Sequence, residues 1–374
     1  MISSPYSPPT YDSAVKRILH VITTIDYGGA EKQLLSLAMA QVNYGNLISV
    51  VALKGKNELR QEFQSSGVDV CSLAEIRTLI GQTMKLRRKI LDFRPDIVHA
   101  HLPRAELMMA CLPINVPLVV SRHNSENFFP KAPKIVSRIL SRFVGFRAKR
   151  VIFISECAKQ YSLDKREILE SKKITVIYYG IENVKVLKRR LSDRTKNAIT
   201  RFITVGRLVE QKDLATQIRA VNRLRNQNIV LEIIGDGELL EELQALVNAM
   251  DLKERVRFVG RTAHVMEALN DADCFILSSK YEGFGLVILE ALISQIPIIA
   301  SDIPTTREIL GNKYPYLFKV GDDEKLVELM QRIIIEGAPH SENYEGILRQ
   351  FDIEKTRKKT DEIYCQIMEK VKSE

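Results

Sequence analysis

Short apolar, largely β-branched runs alternate along this chain with longer stretches whose apolar residues recur every three or four positions. In the first half the runs are RILHVITTI, LISVVAL, DVCSL, DIVHAH, PLVVSRH, RVIFIS and ITVIYYG, with LLSLAMAQV and MKLRRKILDF among the intervening helical stretches. The second half restarts the alternation with RFITVGRL, VLEIIGDG, RVRFVG, CFILSS, PIIAS and YLFKV, separated by stretches such as DLATQIRAVNRLR and LLEELQALVNAM. Nearly continuous apolar strands alternating with helices predict a parallel sheet covered on both faces. Two such series predict an α/β protein of two doubly wound, Rossmann-like domains. The charged, poorly periodic ENVKVLKRRLSDRTKNAIT reads as a linker at roughly 182–200. The expected division is 1–188, 189–345, and a charged helical tail over 346–374.

One stretch breaks the pattern. EGFGLVILEAL, 282–292, places Glu282 and Glu290 around an apolar run that is apolar on every side of a helix, so Glu290 is expected to be buried and to need a partner. Gly283 and Gly285 stand where that helix begins and would let its free N–H groups face an anion.

In doubly wound sheets ligands bind beyond the carboxyl ends of the strands, so the residues just after each strand carry the candidate chemistry. Gly28 and Gly29 follow the first strand. His99 and His101, two apart on the fourth, share a face; as a metal pair they lack a third ligand nearby in sequence, and a buried histidine pair is the expectation. His123 ends the fifth strand. Arg207 and Lys212 span a loop in GRLVEQK, where a guanidinium and an ammonium could neutralise a diphosphate. IIGDG is a two-glycine turn but not GxGxxG, and no GxxxxGK[ST] occurs, which disfavours a nicotinamide dehydrogenase and a P-loop enzyme. Asp271 and Asp273 run straight into an apolar strand and read as a helix end, not a metal-binding pair.

The five cysteines form no CxxC, so neither a disulfide framework nor a zinc knuckle is indicated, and a reducing, cytoplasmic compartment is the expectation. No apolar stretch is long enough to span a membrane. The net charge of +9 is uneven: residues 1–190 hold 30 Lys and Arg against 16 acids, the remainder 25 against 30. The basic surplus therefore belongs to the first half. Within it, residues 131–150 carry seven basic side chains and an apolar stripe of Ile135, Val136, Ile139, Leu140, Phe143, Val144 and Phe146. That stripe is either core or a peripheral contact with an anionic membrane. Nucleic acid is disfavoured by 7% aromatic content, no tryptophan, and charges spread over core-patterned helices.

Taken in order, GGAE, GRLVEQK, IIGDG, VRFVGR, DADCFILSS, EGFGLVILEAL and PIIAS closely resemble the retaining GT-B glycosyltransferases of group 1, of the bacterial envelope-polysaccharide type. The resemblance implies two Rossmann-like domains with a cleft between them and transfer of a sugar from a nucleotide-diphosphate sugar to a glycan or lipid-linked acceptor. It implies that Glu282 contacts the donor sugar and that Glu290 binds the ribose hydroxyls, as the two acids of an E-x7-E motif. Arg207 and Lys212 match the diphosphate pair, completed by amides around Gly285, Leu286 and Val287, with Phe284 beside them among the donor-binding residues. Gly28 and Gly29 resemble a donor-closing loop, His123 a histidine near the transferred sugar, and Gly260, Arg261 and Thr262 a base-contacting turn. No metal or other cofactor is implied. An epimerase of the same fold and a catalytically silent sugar-nucleotide-binding module are the alternatives.

Overall fold

The computed structural model describes residues 15–123, 125–130, 132–168, 171–182, 199–262, 264–336 and 344–373. The expected linker lies, but for its ends, outside them. The strands are β1 (Arg17–Ile22), β2 (Leu47–Ala52), β3 (Asp69–Ser72), β4 (Ile97–His101), β5 (Leu118–Arg122), β6 (Arg150–Phe153), β7 (Ile174–Val176), β8 (Thr200–Val205), β9 (Ile229–Ile234), β10 (Val256–Gly260), β11 (Cys274–Leu277), β12 (Ile298–Ser301) and β13 (Leu317–Phe318). The helices are α1 (Gly29–Asn43), α2 (Arg60–Ser65), α3 (Leu79–Phe93), α4 (Pro103–Cys111), α5 (Lys134–Arg147), α6 (Glu156–Asp164), α7 (Leu214–Arg223), α8 (Leu240–Ala249), α9 (Val265–Asp271), α10 (Leu286–Ile293), α11 (Pro304–Leu310), α12 (Asp323–Glu336), α13 (Tyr344–Leu348) and α14 (Ile353–Ser373).

Each apolar run named above coincides with one of these strands to within a residue at its start or contains it whole. Among the described residues they form a sheet of order β3-β2-β1-β4-β5-β6-β7 and a second of order β10-β9-β8-β11-β12-β13. β1 pairs in parallel with β2 and β4, and β8 with β9 and β11. Strands such as β4, β5, β11 and β12 are buried along their whole length, which is what helices on both faces of a parallel sheet require. In each sheet the order reverses beside its first strand, creating a switch point, between β1 and β4 and between β8 and β11, where adjacent loops diverge and leave a crevice.

By contacts the chain divides into two compact units: the described parts of residues 1–121, 146–151 and 361–374, and those of 122–145 and 152–360. The second contains the whole second sheet. Its core gathers Phe202, Ile218, Val221, Leu231, Ile276 and Phe318 with the inner faces of α7, α8 and α12.

In the first unit, His99 and His101 do share a face, and β1 supplies the third histidine that sequence proximity could not: His20 pairs with His99 across the sheet. The three rings are buried, with centroids 4.2 to 5.4 Å apart. Gln41 donates its amide N–H to Asp361 at 3.4 Å, so its oxygen accepts from His20 Nε2 at 2.9 Å. His20 Nδ1 then accepts from His101 Nε2 at 3.0 Å. His99 bonds Tyr364 through Nδ1 (2.6 Å) and Ser121 through Nε2 (2.8 Å). One nitrogen from each ring lies within 4.8 Å of the others. Both nitrogens of His20 and of His99 are nevertheless spent on hydrogen bonds, and the rings lie tilted against one another, so the cluster is a polar core tying α1 and α14 to the sheet. Burial lowers His20 to about 4, which keeps it neutral.

Candidate active site

The second switch point is built by two loops, one after β8 and one after β11. The β8 loop runs over Gly206–Asp213 and ends in a 3-10 turn, Glu210–Lys212. It is pressed against the IIGDG turn. A Cβ on Gly235, whose φ is +141°, would sit 1.8 Å from the Gly206 carbonyl oxygen, and one on Gly237 would meet the Leu208 backbone at 2.4 Å. The glycines of this turn thus serve backbone-on-backbone packing that fixes the Arg207 and Lys212 loop.

Lys212 reaches across to the β11 loop and donates to Glu282 Oε1 at 2.5 Å. Ser279 Oγ, fully buried, donates to the same oxygen at 2.6 Å. Arg207 is exposed at the start of its loop. The two cations expected to act together therefore differ: Lys212 is drawn inward by a carboxylate, while Arg207 stands in water.

α10 begins just beyond. Gly285 stands at its N-cap in the left-handed region (φ +86°) and, as a glycine, supplies no side-chain cap. Those amide groups, with the positive end of the helix dipole, suit an anion. The expectation that Glu290 is buried is corrected here. Ile288, Leu289, Ala291 and Leu292 form the inner face of α10, while Leu286, Val287 and Glu290, spaced i, i+1 and i+4, share a half-open stripe. The buried acid of the pair is Glu282, 7% exposed, and Lys212 neutralises it.

Phe284, expected among the donor contacts, is 3% exposed and spends its ring on Tyr178, Tyr179 and Phe351. Tyr179 in turn hydrogen-bonds His123 Nδ1 through its hydroxyl. Burial lowers the His123 imidazole well below its usual range, so it is neutral near pH 7. The loop after His123 is anchored from below: Arg122 lies over the Phe128 ring and donates to Ser141, and the Phe128 N–H donates to Glu167 at 3.3 Å. Glu126 lies on that loop, where no motif in the sequence marks it. Burial raises its carboxyl above the ordinary range, and the charge of Arg207 works against that rise.

Arg261 is exposed beside Asp236, 3.7 Å away. Gly28 caps α1, with Gly29 its first residue, in the first unit. Asp271 ends α9, and Asp273 has a structural use, accepting the Arg201 N–H at 2.7 Å.

Two loops at a parallel-sheet switch point bring cations and the start of a helix to the same end of the second sheet, an arrangement suited to an anionic ligand. The family described as glycosyl transferases group 1 matches residues 189–347, and glycosyltransferase family 4 matches residues 27–183. The chain thus carries a glycosyltransferase family 4 domain followed by a group 1 glycosyltransferase domain and has the GT-B fold. It is 27% identical over 270 residues to the uncharacterized glycosyltransferase MJ1059 of Methanocaldococcus jannaschii, covering 65% of this chain and 66% of that protein. It is 26% identical over 284 residues to the UDP-Gal:alpha-D-GlcNAc-diphosphoundecaprenol alpha-1,3-galactosyltransferase of Escherichia coli, covering 71% and 72%. Among solved structures, Anabaena Alr3699/HepE in complex with UDP-glucose superposes with a TM-score of 0.79 at 19% identity, over 94% of this chain and all of the other.

Proposed function

We propose that this protein is a retaining glycosyltransferase that moves a sugar from a nucleotide-diphosphate sugar to a glycan or lipid-linked acceptor of envelope polysaccharide synthesis. The observation that carries the reading is the Lys212–Glu282 pair beside the uncapped start of α10. The lipid-linked acceptor named for the Escherichia coli relative supports the acceptor class.

Breaking the bond between anomeric carbon and phosphate builds negative charge on the departing diphosphate. Arg207, Lys212 and the amides of Leu286 and Val287 stabilise it from fixed positions. Glu282 accepts from a hydroxyl of the donor sugar, and Glu290, on the half-open face of α10, accepts from the ribose hydroxyls. His123, neutral, offers a hydrogen bond to the transferred sugar. The exposed Arg261 contacts the base. These cations supply the charge that a divalent ion would otherwise bring, so the reaction needs no metal.

The acceptor side adds a surface. α5 turns Ser137, Ser141, Val144 and Gly145 inward and leaves Ile135, Val136, Ile139, Phe143 and Phe146 exposed. Lys134, Arg138, Arg142 and Arg147 lie on the same helix. Among the described residues no helix is long and apolar enough to cross a membrane. A basic helix with its apolar side outward suits the surface of an anionic bilayer, where a lipid-linked acceptor resides.

The test is a panel of uridine and guanosine diphosphate sugars, incubated without acceptor and assayed for slow hydrolysis. Wild type should consume at least one, with EDTA leaving the rate unchanged, and Glu290→Ala should raise the donor KM by about ten-fold or more, the worth of hydrogen bonds to a charged acceptor. No consumption and no binding of any donor would remove the transferase reading. An EDTA-dependent loss restored by magnesium would remove its metal independence.

A further inference from the structure

Two hydroxyl groups hold Glu282, Ser279 at its carboxylate and Thr305 at its backbone, and the proposed mechanism gives neither a role. Ser278 and Ser279 follow β11 directly, and both are buried. Ser279 Oγ donates to Glu282 Oε1 at 2.6 Å, the oxygen that also receives Lys212 Nζ at 2.5 Å. Among the described residues no donor is hydrogen-bonded to Oε2. From β12, Ser301 donates to the Ser279 carbonyl at 2.6 Å, and from α11, Thr305 donates to the Glu282 carbonyl at 2.9 Å. Ser278 faces the other way: its hydroxyl donates to the Lys212 carbonyl at 2.7 Å and receives the Gln217 amide at 2.8 Å, while the same amide reaches Thr204 at 3.2 Å. Gln217, Ser301 and Thr305 are each at most 1% exposed.

We infer that Ser279 is a positioning residue of the transferase site. With Lys212 it saturates one oxygen of Glu282 and so fixes the carboxylate plane, leaving Oε2 as the acceptor presented to the donor sugar. Ser278 does for the backbone under Lys212 what Ser301 and Thr305 do for the backbone on either side of the acid. The two halves of the ion pair are thereby set by adjacent serines pointing to opposite sides of one strand end. A buried hydroxyl placed in this way costs desolvation unless it is bonded, and every hydroxyl in this frame is bonded. Such a frame preorganises the carboxylate, which acts on the reacting complex more than on ground-state binding of the nucleotide.

This inference rests on the proposed transferase reading, and one experiment separates the two. Steady-state kinetics are measured for wild type, Ser279→Ala, Ser279→Thr and Ser279→Cys on whichever of UDP-glucose, UDP-galactose, UDP-N-acetylglucosamine and GDP-mannose the wild type consumes fastest, with thermal melts of each protein. Ser279→Ala should lower kcat by about ten- to a hundred-fold, the span of a charge-assisted hydrogen bond, with donor KM within about two-fold. Ser279→Thr, which keeps the hydroxyl, should regain most of the rate, and Ser279→Cys, similar in size but a weak donor, should not. If Ser279→Ala does not fold, the Thr and Cys pair carries the comparison. Wild-type kcat in Ser279→Ala or Ser279→Cys, or equal impairment of Thr and Cys, would overturn the positioning role while leaving the transferase reading intact. A wild type that consumes none of the four and binds no nucleotide sugar would instead bring down the reading on which it rests.

Discussion

At the scale of single residues, the fold and not the residue type decides which of two like groups is buried. Glu282 and Glu290 are alike in the sequence, and the apolar run between them singles out Glu290 as the stranded one. In the fold Glu282 is sequestered instead, because the β11 loop turns it toward Lys212 and Ser279, whereas Glu290 lies on the one open stripe of α10. At Phe284 the fold adds what residue type alone does not give, a ring packed against Tyr178, Tyr179 and Phe351. Gly235 is the complementary case, since its identity is dictated by contact as well as conformation. Gly235→Ala should destabilise the protein by about 2 kcal/mol or more, because its Cβ must displace the Gly206 backbone and adopt a φ that side chains disfavour. Urea unfolding measures this; a loss under about 0.5 kcal/mol would mean that the loop yields freely.

At the scale of elements, α5 inverts the usual amphipathic arrangement. Its inward side is serine and glycine because those serines are needed as hydrogen-bond partners: Ser141 for Arg122 and Glu167, and Ser137 for the Phe129 N–H. The apolar residues are left outside, so the alternative that the stripe is core holds only for Val144. The double substitution Ile135→Ser and Ile139→Ser removes side chains that are 70% and 59% exposed. It should leave stability within about 0.5 kcal/mol, as for other exposed positions, and should weaken binding to anionic vesicles by about ten-fold or more. Co-sedimentation at low and high salt, with donor hydrolysis as a control, checks it. Binding to vesicles that persists undiminished would place the contact elsewhere, and no binding by wild type would remove the membrane surface from the proposal.

At the scale of the whole molecule, buried histidines make folding stability depend on pH. His20 binds its proton in the unfolded chain near 6.5 and in the fold only near 4. Between those values the unfolded state holds more protons. The stability associated with neutral His20 is therefore full above about pH 6.5 and declines as the pH falls toward 4, by about 3 kcal/mol in all. Urea midpoints from pH 7.5 to 4.5 should fall accordingly, and the decline should be shallower in His20→Gln; identical slopes would assign the acid sensitivity to other groups.

The sequence by itself determined the two α/β series and every strand in them, because apolar periodicity is a local property that burial on both faces of a sheet imposes wherever it occurs. It also marked the loops after β8 and β11, since glycines at strand ends go with the backbone reversals and close approaches there. Ser278 and Ser279 were visible as polar residues closing an apolar strand, although their partners were not. Only the tertiary structure decided that Ser279 and Lys212 meet on one oxygen of Glu282, that Glu290 stays half-open, and that His20 completes the pair on β4. Each of these joins residues from different strands or loops, and no local periodicity records which distant side chain the folded backbone will bring within hydrogen-bond reach.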